Sequence, residues 1–335
     1  MKALKFRLRR LLLRFFIVLR RIRLPGFQGV GLYDVLYFFI RALSTPKFTL
    51  MASAMAYHFF FSLLPTLLLA LIILSQLPFE PLKDGVIQFI LQFFPEGGLD
   101  QSTIENMANA IMENYFNNAP NIWLVIISVL LALWGSMRGV IGLMKAFSKQ
   151  ESLFDSVFKT RKWWELYSMA FLIMVSVGAI VVAGVSIRIS LGYLLGMMAD
   201  SPGMISESFY SFLSNSINTL VTIVTLFFVI SSLYFLAPAT QQRWNFFTPG
   251  SITASVLTLA AIQGLKYFFI NFANYDKLYG SLAAIIVILV WFYYIAIVLL
   301  IGFELNAAID IASHRLVMVD EQDQLKANAS EVLNP

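Results

Sequence analysis

The polar residues best suited to chemistry lie inside apolar stretches, where a polar group is costly unless it finds a partner. His58 and Ser62 are four residues apart and share one helical face. Pro65 cannot donate a hydrogen bond to the carbonyl of Phe61, so the helix should kink there. With Tyr57 these residues predict a broken helix whose polar notch lines a cavity. The alternative is a packed kink in which Ser62 bonds to its own backbone.

Two charges near the ends of apolar stretches, Arg138 and Glu304, are the next candidates. A charge within a membrane span must pair or reach water. Both fall towards the same end of their predicted helices, so we expect them to form an ion pair. With Tyr57, His58 and Asn306 they would make a polar cluster. The alternative for Arg138 is that its side chain reaches the membrane interface.

A stripe of hydroxyls and amides follows one further apolar stretch, at Asn215, Asn218, Thr219, Thr222 and Thr225. This stripe could line a hydrophilic path across a membrane. Hydrogen bonds from the threonines to the preceding helical turn explain it equally well.

Catalytic constellations are missing from the sequence. The chain has two histidines, His58 and His314, and no cysteine, and no zinc-binding spacing occurs. Neither a G-x-S-x-G turn nor a phosphate-binding GxxxxGK[ST] loop is present. We therefore predict no enzymatic activity, no metal site and no cofactor.

The elements that carry these residues follow from the distribution of charge. Of the 335 residues 59% are hydrophobic and 13% are charged, whereas a soluble domain has about 25% charged residues. Six charge-free runs have at least 22 residues, and a spanning helix needs about 20. We predict an all-α integral membrane protein, a bundle of six transmembrane helices near 50–77, 121–144, 166–188, 212–236, 249–270 and 281–303.

Basic residues predict the orientation of this bundle. Residues 1–49 carry eleven of the 24 Lys and Arg residues, and the 145–165 loop carries five. Because basic loops stay on the cytoplasmic side, we expect both termini in the cytoplasm. The predicted organisation is a basic interfacial arm over 1–46, a six-helix membrane domain over 47–311 and a polar cytoplasmic tail over 312–335.

The N-terminal arm is expected to form amphipathic helices on the membrane surface. Its apolar and basic residues occupy separate helical faces, which favours anionic lipid headgroups over nucleic acid as its partner. A second short segment, Leu32–Leu43, should end before Pro46, with Thr45 capping the first span. The loop between spans one and two should form two helices, near 82–94 and 103–116. Association with further copies of the chain stays open.

Five segments then resemble the YihY/BrkB family of bacterial inner-membrane proteins. The resemblance covers about 45–310, is most specific in its last third, and rests on Ala54, Tyr57, Ser62 and Pro65, on Pro238–Trp244 with Pro249 and Gly250, on Tyr279–Ser281, on Trp291 with Tyr294, and on Leu300, Gly302, Glu304 and Asn306. It implies a multi-pass plasma-membrane protein with six spans. The family has carried a ribonuclease label, which these residues do not support, and some members have been proposed to move lipid or lipopolysaccharide precursors.

Three functions are therefore weighed. The first is a transporter or flippase-like protein for a lipid or another amphipathic envelope molecule, which fits the kinked span and the polar stripe. The second is a membrane scaffold or envelope-organising protein without transport. The last is a ribonuclease.

Overall fold

The computed structural model of the protein describes residues 22–75, 80–91, 106, 122–148, 161–199, 206–240, 244–271 and 282–333. The fold of these residues is all-α, as predicted. They form eight principal helices: α1 (Leu32–Leu43), α2 (Pro46–Ser75), α3 (Glu80–Leu91), α4 (Ile122–Ala146), α5 (Trp163–Ala199), α6 (Glu207–Leu236), α7 (Pro249–Asn271) and α8 (Leu282–Leu333).

Five of these helices, α2, α4, α5, α6 and α8, are long and apolar enough to cross a membrane. The predicted span at 249–270 coincides with α7, but its described apolar stretch, Pro249–Leu265, is shorter than the others. The described residues therefore contain several spanning helices, and the count of six stays a prediction.

Six helices close into a ring. Packing contacts run in the order α2, α4, α5, α6, α7 and α8, and α8 then packs against α2. Neighbours such as α2 and α4 are antiparallel, because Ser62 faces Gly139 while the earlier residue His58 faces the later Gly142. Each apolar helix thereby gains two neighbours, which brings distant parts of the sequence to one axis.

The core of the ring lies at one end, here called the aromatic end because it holds Phe147, Tyr234, Trp244 and Phe303. These four side chains are all buried. Other fully buried side chains, such as Met55 and Ile173, lie within about 15 Å of this end along their helices. Packing is therefore tightest where α4 and α6 end and α7 begins.

The segment before the ring folds back against its aromatic end. Gly26 and Gly29 adopt positive φ angles of 85° and 78°, as does Gln28 at 50°, and glycine tolerates this conformation best. The turn leads into α1, whose predicted bounds are confirmed. Val35 of α1 is buried against α8, whereas Ile40 is 58% exposed. Residues 1–21 lie outside the described residues, so the amphipathic helix expected there stays a prediction.

Two predicted details at helix ends differ from the structure. The hydroxyl of Thr45 does not cap α2 but donates to the carbonyl of Ala42, at 2.7 Å. The predicted tail after residue 312 continues α8 to Leu333, because no glycine or proline interrupts the helix there. The helix expected near 82–94 is α3, which packs on α5, and the one expected near 103–116 falls outside the described residues.

Candidate functional site

The polar notch of α2 is a helix-packing surface. Pro65 and Ser62 face Gly135 and Gly139 of α4, and a Cβ atom on Gly135 would lie 2.6 Å from the Pro65 ring. Ser62 is buried, and its hydroxyl donates to the carbonyl of Phe59 at 3.1 Å. The packed kink is thus the arrangement observed, because small residues let two helices approach closely.

The other two residues of the predicted notch are placed differently. His58 is half-buried against Gly142, where a Cβ atom would lie 2.5 Å from the histidine Cβ. Tyr57 is 57% exposed, and its ring packs on Phe61 of the same helix at 4.5 Å between centroids. Tyr57 and Ser62 therefore occupy different faces of α2 and do not line one cavity.

The expected pairing of Arg138 with Glu304 is not formed. Arg138 is exposed, and its guanidinium lies 4.2 Å from the ring centroid of Trp134, whereas Glu304 is buried. Phe147 stacks on Phe303, next to Glu304, and Arg138 precedes Phe147 by about 13 Å of helix. A cation over an aromatic ring at the helix surface accounts for Arg138 without a buried partner.

Asn306 joins α8 to the start of α7. Its Oδ1 accepts from the backbone N–H of Gly250 at 2.8 Å, and its Nδ2 donates to the Thr248 hydroxyl at 2.9 Å. The same hydroxyl accepts from the N–H of Ser251 at 3.0 Å, which confirms Thr248 as the predicted cap of α7. Because Asn306 is buried, these bonds fix the register of the two helices.

Four aromatic side chains close the ring beside Asn306. Phe147 and Phe303 stack with their centroids 4.5 Å apart, and Phe147 also meets Tyr234 edge-on at 5.6 Å. The Tyr234 hydroxyl donates to the carbonyl of Leu299 at 2.7 Å. Trp244 lies 5.7 Å from Phe303, so residues from α4, α6, α8 and the α6–α7 connection meet here. The sequence pattern did not indicate this aromatic cluster, although Trp244 belongs to a quoted family segment.

A second polar device at the aromatic end is Arg161. Its guanidinium donates to the carbonyls of Leu236, Ala237 and Pro238, at 3.1, 2.8 and 2.9 Å. These carbonyls end α6, where the helix leaves its last acceptors without internal donors. A cation is also favoured at a helix C-terminus. Charge counting had assigned Arg161 only to a basic loop.

The threonine stripe of α6 is partly explained by local bonding. The hydroxyls of Thr219 and Thr222 donate to the carbonyls of Asn215 and Asn218, both at 2.8 Å. Thr225 is buried against Gly184 of α5. The stripe therefore covers more than one side of α6, and only part of it can face a path.

A pocket of about 430 Å³ opens at the aromatic end. It lies between the 24–29 turn, the α6–α7 connection and the start of α7, with Asn306 and Ile309 in its wall. Its lining has no charged side chain. Among the residues that the structure describes, no three His, Asp or Glu side chains lie close enough to share a metal ion.

The family model of the virulence factor BrkB matches residues 39–327. The chain belongs to the BrkB family. The matched range contains α2 and α4 to α8, so the ring and the aromatic end are features of a BrkB-family protein rather than of an added domain.

Relatives of this BrkB-family protein carry two kinds of name. The ribonuclease-like protein YfkH of Bacillus subtilis is 26% identical over 260 residues, covering 76% of this chain and 88% of its own. Membrane proteins named UPF0761 are 26% identical in Aliivibrio salmonicida, covering 81% of each chain, and 25% identical in Vibrio vulnificus, covering 93% of each chain. No solved structure matches the chain.

Proposed function

We propose that this protein moves a lipid or another amphipathic envelope molecule across the bacterial plasma membrane. The path enters the ring from the end opposite the aromatic end, and the aromatic cluster closes it on the other side. The aromatic end then faces the cytoplasm, in agreement with the basic residues of the N-terminal arm and of the 145–165 loop.

The observation that carries this proposal is a change of burial along one face of α6, here called its interior face. This face contains Tyr234, Ile230 and Leu226 at the aromatic end, which are 1%, 2% and 7% exposed. At 100° per residue the same face continues through Ile223, Thr219, Ser216 and Phe212.

The far half of this interior face is open. Ile223 is 38% exposed, Phe212 is 66% exposed, and Thr219 and Ser216 are exposed as well. Their hydroxyls already donate to carbonyls of their own helix, so they offer a mildly polar wall without an unpaired donor. A wall of aromatic, aliphatic and hydroxyl groups suits a molecule with both an apolar and a polar part.

The helix α7 serves as the sixth span in this proposal. Its 23 residues correspond to about 34 Å of helix, and the hydrocarbon core is about 30 Å thick. It packs between α6 and α8 within the ring. Six spans would place both termini on one side, as the charge distribution requires.

Lipid translocation by purified protein in liposomes tests the proposal. Fluorescent phosphatidylethanolamine is placed in both leaflets, and a membrane-impermeant reductant bleaches the outer leaflet. We expect bleaching to extend to inner-leaflet lipid only in liposomes that contain the protein. Thr219→Trp should slow this second phase because the indole fills the open half of the interior face.

Val224→Trp is the matched control, since Val224 is 44% exposed and lies about 140° around α6 from Thr219. Its bleaching kinetics should equal those of the wild type. Identical kinetics in liposomes with and without protein would refute lipid transport and favour the scaffold function.

A further inference from the structure

One cation inside the bundle has no role in the account above. Arg188 lies on α5 where that helix meets α6. It follows Trp163 by 25 residues of continuous helix, which is about 37 Å. Trp163 and Trp164 are 76% and 53% exposed, as side chains at a membrane interface are. Arg188 therefore lies near the membrane surface opposite the aromatic end.

The contacts of Arg188 leave one side of its guanidinium group unused. Its Nε donates to the Oδ1 of Asn218 on α6 at 3.0 Å. One terminal nitrogen, Nη1, is buried and has no hydrogen-bond partner among the described residues. No ion pair with a carboxylate is seen for Arg188 in the described part of the chain. A buried, charged donor without an acceptor is costly.

Simple anchoring at the membrane interface does not account for this geometry. An arginine that reaches the interface places its terminal nitrogens in water or among headgroups, whereas here Nη1 is enclosed by protein. Asn218 fixes the Nε side of the group, so the two terminal nitrogens are presented in a defined direction. That arrangement is costly for stability alone and useful for binding.

The chemistry that matches the free side is a phosphate-type anion. A guanidinium presents its donors as a planar fork, which fits two oxygens of a phosphate in a bidentate manner. Space exists on the same side of α5, because a Cβ atom on Gly192, one turn beyond Arg188, would meet nothing within 4 Å. An anionic group can approach there without displacing a side chain.

We infer that Arg188, oriented by Asn218, binds a phosphate-type anion at the end of the ring opposite the aromatic end. The anion is either the headgroup of an amphipathic molecule or free phosphate. The inference rests on the proposed function for its place on a path, and it adds to that function a substrate class with an anionic phosphate.

Binding to the purified full-length chain in an uncharged maltoside detergent tests this inference. Short-chain phosphatidic acid, inorganic phosphate and diacylglycerol of the same chain length are titrated separately by calorimetry. We expect phosphatidic acid to bind and diacylglycerol not to bind. Arg188→Gln should weaken phosphatidic acid binding by about tenfold or more, because it removes charged hydrogen bonds.

Two further variants make the result interpretable. Arg41→Gln removes an exposed cation of α1 and should leave the affinity unchanged, which separates the site from general surface charge. Arg188→Lys keeps the charge but loses the fork, so binding should still weaken severalfold. It carries the test if Arg188→Gln does not remain monodisperse.

The titrations also separate the two sources of the anion. Binding of phosphatidic acid without inorganic phosphate identifies a lipid headgroup, and equal Arg188-dependent binding of both identifies free phosphate. If no anion shows Arg188-dependent binding, the inference is overturned, while transport of an uncharged amphipathic molecule stands. Because no translocation is measured, a failure of transport in liposomes leaves the binding result unaffected.

Discussion

Replacing Gly302 by alanine should destabilise the protein strongly, although alanine is the better helix former. The new Cβ atom would lie 2.6 Å from the carbonyl oxygen of Gly250 and 2.8 Å from the Cβ of Ala254, and would also meet the Tyr234 hydroxyl. Two of these three contacts are with the backbone or Cβ of α7, which cannot rotate away. The helices α7 and α8 must separate, at a cost of about 2 kcal/mol or more in the free energy of unfolding.

The matched control is Gly192→Ala on α5. A Cβ atom at Gly192 would meet nothing within 4 Å, so only the helix propensity of alanine acts, which favours the folded state by up to about 1 kcal/mol. The two substitutions should therefore shift the melting temperature in detergent in opposite directions. A Gly302→Ala variant as stable as the wild type would contradict the close crossing of α7 and α8.

Asn306→Ala should have the second large effect. It removes two buried hydrogen bonds and leaves the N–H of Gly250 without its acceptor at 2.8 Å. An orphaned buried donor together with the lost bonds costs about 3 kcal/mol. We expect a lower melting temperature and a smaller yield of monodisperse protein.

A double-mutant cycle with Thr248→Val separates this bond from general packing. The Nδ2 of Asn306 donates to the Thr248 hydroxyl at 2.9 Å, so the two substitutions should cost less together than their sum. Asn245→Ala, at an exposed neighbouring position, is the control and should be neutral. Strict additivity of Asn306→Ala and Thr248→Val would remove the bond from the account.

Local signals in the sequence predicted local structure well. The bounds of α1 and the start of α2 follow from the Ser44–Thr45–Pro46 break, which acts within a few residues. The cap at Thr248 is equally local, since the bond from Ser251 spans three residues. The spanning helices followed from charge-free runs, because the bilayer excludes unpaired charge over a fixed thickness.

Arrangements between helices could not be predicted in the same way. Whether Arg138 turns outwards or towards Glu304 depends on how α4 is rotated, and the glycines that face α2 decide that rotation. The contact of Arg161 with α6 joins residues 75 to 77 positions apart. The aromatic cluster likewise unites α4, α6 and α8, whose pairing no single stretch of sequence encodes.

The central claim is that the interior face of α6 is open to water away from the aromatic end and closed at it. The chain has no cysteine, so single cysteines can be introduced without removing others. Thr219→Cys should react in intact cells with a maleimide that cannot cross the membrane. Val224→Cys, turned away from the interior face, and Ser232→Cys, buried near the aromatic end, should react only after denaturation.

Labelling of Thr219→Cys alone is the result that this account predicts. Protection of Thr219→Cys until denaturation, or labelling of Ser232→Cys in intact cells, would contradict it.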